Sequence, residues 1–438
     1  MEELTYIKIN EDILNTLTPP KRNYYYILAV LLLGVAGLFS IWSYQILTGM
    51  GVAGINHPIG WGVYITNFVF WVGIAHSGTL ISAILFLLRA KWRNAIARSA
   101  EAMTVIAVAT AGLYPLIHLG RVWKVYWMLP YPNQRFLWPN FRSPLIWDVI
   151  AISTYLSVSA MFFYIGLLPD IAAYRDRSSG TRKKIYGILS LGWQNQNRQW
   201  KNYTKAYLFF AAFATPLVVS VHSVVSWDFA MTLVPGWHST IFAPYFVAGA
   251  IHSGLAMVIT LLIPLRKILK VEHIITMDHF DKIAKVIIFT GLIVGYAYGI
   301  EYFMSWYSGN NFERAIFHWR ATGDYAYGFW IMVIFNSIVP LAFFFKKVRS
   351  NLKLLFFISI LINIGMWFER FVIIVSSLAH EFLPFAWGYY KPTWVEFGIT
   401  IGSFCWFFFL FLIFVKVFPS ISVTEIKEIL PVPKKLGK

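Results

Sequence analysis

Residues 62–88 read GVYITNFVFWVGIAHSGTLISAILFLL, a run of 27 positions without Asp, Glu, Lys or Arg. A hydrocarbon layer of about 30 Å is crossed by about 20 helical residues, so this run is long enough to span one. Nine more predominantly apolar runs of spanning length lie at 24–47, 101–121, 145–169, 203–226, 241–265, 281–305, 326–345, 353–376 and 395–418. They are long and continuous and lack the strict alternation of barrel strands, so helices are expected. The fold class is therefore an all-α polytopic membrane protein of ten transmembrane helices. Composition agrees: 58% of the 438 residues are hydrophobic and 13% charged, against about 25% charged in a soluble domain. A soluble enzyme and a disordered chain are both excluded.

The charges orient the bundle. Lys plus Arg number 37 against 20 Asp plus Glu, a formal +17. Of the basic residues 29 fall on the side that carries both termini and eight on the other, so both termini are expected in the cytoplasm. The net charge then reports orientation, and no nucleic-acid partner is expected. Basic stretches such as RSSGTRKK (177–184) read as solvated cytoplasmic loop in contact with anionic lipids. The first 23 residues hold Glu2, Glu3, Glu11 and Asp12 and do not read as a signal peptide. One cysteine, Cys405, is too few for a disulfide or an iron–sulfur cluster held by this chain alone. No Walker loop, dinucleotide fingerprint or HExxH occurs, and His273, Asp278, His279 and Asp281 read as a helix cap in a solvated loop.

GIAHSG (73–78) returns as GAIHSG (249–254) at the same depth and in the same direction. A weaker match sets GLYPLIH (112–118) over GYAYGIE (295–301), with His118 opposite Glu301. Two parallel repeats are expected, helices 2–5 and 6–9, with helices 1 and 10 at the periphery. The division is 1–23 as an N-terminal segment, 24–61 as helix 1 and its loop, and 62–226 as the first bundle. Residues 227–376 form the second bundle, 377–418 the last loop and helix 10, and 419–438 a cytoplasmic tail.

Ionisable groups inside a membrane are costly and mark function by default. His118, Arg121, Asp148, His222 and Asp228 gather in the first bundle near its non-cytoplasmic ends, among Trp123, Trp127, Trp138, Trp147 and Trp227. That set suits a lipid-soluble redox ligand. A quinol that loses two electrons also loses two protons, and each hydroxyl needs a His or carboxylate acceptor. The competing reading is a helix cap, an Asp148 pair with Arg121 or Arg142, and an ordinary interfacial aromatic belt. His76 and His252 lie mid-helix and read either as packing residues beside small Ser-Gly pairs or as two ligands of one haem. In the second bundle Glu301, Glu369 and Arg370 read as a proton path or as a structural acid–base set. Glu369 and Arg370 are adjacent, about 100° apart on a helix, and are not expected to neutralise each other.

NHPIGWGVYITNFVFWVGIAHSG (56–78), PLIHLGR (115–121), LIWD (145–148) and the second HSG resemble the NrfD-like polysulfide-reductase membrane subunits. Within that family the chain resembles the ten-helix membrane subunits of bacterial alternative complex III, over roughly residues 24–418. The resemblance implies a cofactor-free, quinol-binding subunit, without haem or iron–sulfur cluster of its own. It implies an iron–sulfur subunit docked on the outer face, c-type cytochrome subunits, a second NrfD-like membrane subunit and a terminal oxidase. Menaquinol is the substrate it points to, and the bacterial inner membrane the location. The family's quinol site falls on His118 and Asp148 as primary proton acceptors with Asp228 as orienting carboxylate, flanked by Arg121 and His222. Glu301, Glu369 and Arg370 match its region of proton conduction. The alternatives are a secondary transporter and a haem b anchor.

Overall fold

The computed structural model describes residues 6–17, 20–129 and 141–428; Trp138 lies outside them. Ten helices among the described residues are long and apolar enough to cross a membrane. They are α1 (Arg22–Thr48), α2 (Val63–Leu87), α3 (Ala97–His118), α4 (Pro144–Arg177), α5 (Asn197–Ala230), α6 (Phe242–Leu269), α7 (Met277–Tyr307), α8 (Ala326–Phe344), α9 (Leu352–Ala379) and α10 (Trp394–Val417). All ten expected spans are present. The largest difference is that α4 and α5 run several residues further toward the termini-bearing face. Hydropathy reports the bilayer, whereas helical hydrogen bonding continues past it: α4 ends on Arg175 and Arg177, and α5 starts from a Gln196–Gln199 capping box.

The helices α2 and α6 are the most enclosed of the ten, and they pack on each other at the centre. A Cβ on Gly254 would lie 2.6 Å from Ser77 Cβ and 2.7 Å from the Ile74 carbonyl, so only glycine permits this approach. The Ser77 hydroxyl donates to the Ile251 carbonyl across the contact at 2.7 Å. Around α2 lie α3, α4 and α5, each touching the next and α5 returning to α2; α7, α8 and α9 stand around α6 in the same way. On the far side α1 packs on α10, which touches α2 and α3.

Both described ends lie on one face, called here the terminal face. Helix Tyr6–Asn15 packs on helix Val423–Glu428, and His273, between α6 and α7, pairs with Asp12 at 2.8 Å. The other members of that sequence cluster hold other partners: His279 caps α7 at Thr276, Asp278 pairs with Lys282, and Asp281 pairs with Lys285 and with Arg349. The RSSGTRKK stretch is not a loop throughout. Gly180–Leu189 is helical, and its Tyr186 hydroxyl donates to the Val417 carbonyl at 2.8 Å. Burial raises the pKa of that phenol.

Replacing Gly254 by Ala should separate α2 from α6, because two of the atoms met belong to a backbone carbonyl and a Cβ. Overpacking of this kind costs about 1–3 kcal/mol, so the thermal midpoint in detergent should fall by several degrees. Gly37→Ala, where a Cβ meets nothing within 4 Å, should leave the midpoint unchanged.

Candidate functional site

A cleft of about 390 Å³ opens on the face opposite the termini, lined by Pro58, Gly60, Trp61, Ser143, Asp228 and Trp237 among others. Two helix ends bring acids to it, of which Asp228 is part of the lining. The Ser143–Pro144 pair starts α4, with proline in the first turn where its missing N–H costs nothing. One turn on, Asp148 faces inward, 5% exposed; Asp228, 7% exposed, sits in the last turn of α5. The two carboxyls lie close enough to act on each other directly. Two buried carboxyls so placed do not both ionise readily, and their protons come off as a pair. One oxygen of each, Asp148 Oδ1 and Asp228 Oδ1, is buried without a partner. Buried acceptors left open in this way are costly, so they mark a place for a donor. Trp61 stacks on Trp237 with centroids 5.7 Å apart, and both meet Phe229 edge-on. A planar donor entering the cleft would find aromatic surface beside paired carboxyls.

The other expected residues are only partly gathered here. Asp148 pairs with Asp228 rather than with Arg121 or Arg142. His118 ends α3 with its Nδ1 buried and unpartnered, and no described hydrogen bond joins it to either acid. Arg121 lies on the exposed turn after α3. Trp123 is exposed, while Trp147 meets Trp227 edge-on at 5.9 Å beside the acid pair.

The expectation that His222 flanks the acids is corrected. It lies six residues before Asp228, about 9 Å deeper along α5, with its ring 4.5 Å from that of His76. Nor does the haem pair assemble from His76 and His252. The His76 Nδ1 lies 2.6 Å from the Val72 carbonyl, with Tyr155 and His222 against its ring. The His252 Nδ1 meets Thr290 Oγ1 of α7 at 3.0 Å. The two imidazoles therefore turn into different helix groups.

In the second group the expected independence of Glu369 and Arg370 is also corrected. The long guanidinium folds back, and Arg370 contacts the Glu369 carboxylate directly. Tyr298 donates to the same carboxylate and receives the Asn336 amide at 2.9 Å. The Arg370 guanidinium covers the Phe246 ring at 4.8 Å. Glu301 is separate, near Arg320 and Glu313, with Oε1 buried and unpartnered.

Trp61, Trp237 and Ser143 are site residues that the sequence pattern alone did not bring forward. Trp61 stands inside the NHPIGWG stretch, which was a usable signal; Trp237 and Ser143 lie in loops whose folding no periodicity reveals.

Comparison with known proteins places this architecture. The chain is 26% identical over 412 residues, 87% of each chain, to a candidate membrane subunit of a dimethyl sulfoxide reductase from Halobacterium salinarum. It is 22% identical over 429 residues, 92% of this chain and 96% of the other, to the Hdr-like menaquinol oxidoreductase integral membrane subunit of Archaeoglobus fulgidus. It is 24% identical over 387 residues, 83% and 84% of the two chains, to the menaquinone reductase integral membrane subunit of Nitratidesulfovibrio vulgaris. The profile described as polysulphide reductase, NrfD, matches residues 51–380, which include α2 to α9 and every acid of the cleft. With ten membrane-length helices and this match over most of its length, the chain belongs to the NrfD polysulphide reductase family.

Proposed function

We propose that the chain is the quinol-binding membrane subunit of a respiratory quinol:acceptor oxidoreductase complex of the alternative complex III type, with menaquinol as substrate. The observation that carries this reading is the Asp148–Asp228 carboxyl pair, half-open to donors, in an aromatic cleft at the membrane edge. Relatives named for menaquinol and menaquinone support the substrate class.

Oxidation of a quinol removes two electrons and two protons. In this reading the acid pair receives one hydroxyl proton, its open oxygens accepting the substrate's hydrogen bonds. His118 receives the other from the opposite side of the head group, and Arg121 biases the local field. Trp61 and Trp237 hold the ring plane while the tail lies in lipid. The electrons leave to an iron–sulfur subunit seated over the cleft, then to c-type cytochrome subunits and onward to a terminal oxidase. Exposed Leu233, Phe385, Trp387 and Trp123 on this face suit a protein cover better than water. A second NrfD-like subunit is a further expected neighbour. We assign Glu301 and the Glu369–Arg370–Tyr298 set to proton transfer, and read the α2–α5 and α6–α9 groups as parallel repeats. The termini face the cytoplasm of a bacterium, and the cleft faces outward.

Asp148→Asn and His118→Ala should each lower quinol:acceptor electron transfer about 100-fold or more, the range for loss of an acid–base group. Assembly should be unchanged, as judged by the subunits that co-purify. Wild-type turnover in both variants would remove the site assignment.

Orientation has its own test. In a Cys405→Ser background, Arg182→Cys should label with an impermeant maleimide only in inverted vesicles, and Asp324→Cys only in right-side-out ones. The reverse pattern would invert the topology.

A further inference from the structure

The group α2–α5 carries ionisable residues at both ends. At the terminal face five charges lie buried together: Arg93, Arg98, Glu101, Asp170 and Glu425. Arg98 bonds Glu101 at 2.7 Å, the Gly166 carbonyl at 2.6 Å and Asp170 at 3.5 Å. Arg93 meets Glu425 at 3.2 Å. Glu425 comes from beyond α10, held there by Asn94 donating to its carbonyl and by Thr424 donating to Asp170. Arg93 and Arg98 belong to the basic residues that orient the chain, yet both are enclosed, at 3% and 1% exposure. Burial and the Glu425 charge act oppositely on Arg93, and the net effect raises its pKa.

Two features point to a proton held in this cluster. Three carboxyl groups face two guanidiniums, so the fully ionised set has one uncompensated negative charge in a dry site. At its outer edge stand Lys427 near Asp170 and Arg177, and Glu428 near Glu425; these groups are partly exposed, so water screens them and the imbalance stays with the enclosed five. Tyr203 and Tyr207 add no charge as phenols. The second feature is hydrogen-bond stoichiometry. The Tyr207 hydroxyl lies 2.8 Å from Glu425 Oε1 and 3.1 Å from Glu101 Oε1. It has one hydrogen and can donate to one carboxylate only. The other contact becomes a hydrogen bond when that carboxyl is protonated and donates back to the tyrosine oxygen.

We propose that Glu101, Tyr207 and Glu425 form a proton-binding site, holding one proton between two carboxyl groups and exchanging it with the aqueous phase at the terminal face. Glu428, exposed and close to Glu425, marks the aqueous side of the cluster. From Glu101 a polar seam continues inward. Thr104, one turn along α3, donates to the Ala75 carbonyl at 2.7 Å, which Tyr155 also approaches at 3.2 Å. Tyr155 meets Thr79 at 2.7 Å and packs against His76, which faces His222. The site stands on these contacts alone and does not depend on what the opposite cleft binds.

Infrared difference spectroscopy of the purified complex tests it. The wild-type chain should show a carboxylic-acid C=O band, shifted on transfer to D₂O, that is lost in both Glu101→Gln and Glu425→Gln. Subtracting variant from wild type cancels acids elsewhere, the cleft pair included. Tyr207→Phe keeps every charge and should retain the band at higher frequency, since the hydrogen bond is gone. If neither glutamine variant accumulates, Tyr207→Phe decides alone. Equal carboxylic-acid intensity in wild type and both glutamine variants, or a band unmoved in Tyr207→Phe, overturns the site. A band that resists D₂O overturns the exchange.

Discussion

The close contact of α2 with α6 sets the frame for every polar residue in the membrane. Gly254 lets the two backbones approach until Ser77 reaches the Ile251 carbonyl. Once those helices are locked in register, His76 and His252 are committed to opposite directions. One imidazole enters the group α2–α5 and the other the group α6–α9. Packing in lipid lacks a hydrophobic drive, so small residues and a few hydrogen bonds must fix position. A single contact of this kind therefore determines which buried groups can meet.

The two ends of α2–α5 use acids differently. At the cleft, two carboxyls face each other with no described cation in contact, and one oxygen of each stays open. At the terminal face, three carboxyls are interleaved with two guanidiniums and a tyrosine, and the backbone of the last described segment closes over them. The first arrangement suits a donor that arrives and leaves. The second suits a proton held among fixed groups of the protein and exchanged with water at its edge.

All ten spans, and the acids of the cleft, were legible in the sequence because they depend on composition and on the rarity of charge in apolar runs. Asp148 and Asp228 stand out against LIW and VVSW neighbours without any structure. Three things were not legible. A loop count cannot tell a solvated arginine from an enclosed one, so Arg93 and Arg98 passed as orientation charges. Angular spacing treats side chains as spokes, whereas Arg370 is long enough to fold back on Glu369. Depth along a helix also says little about partners: His222 looked close to Asp228, but six residues put it beside His76.

Because Glu425 follows α10, the ionic core at the base of α2–α5 lacks one member until the rest of the spanning chain has been made. Through that interval Arg93 lacks the carboxylate that meets it in the finished fold, in surroundings that disfavour lone charge. The polar packing of the early helices is thus completed from the far end of the chain, by a segment that folds back under α2–α5 after the last span.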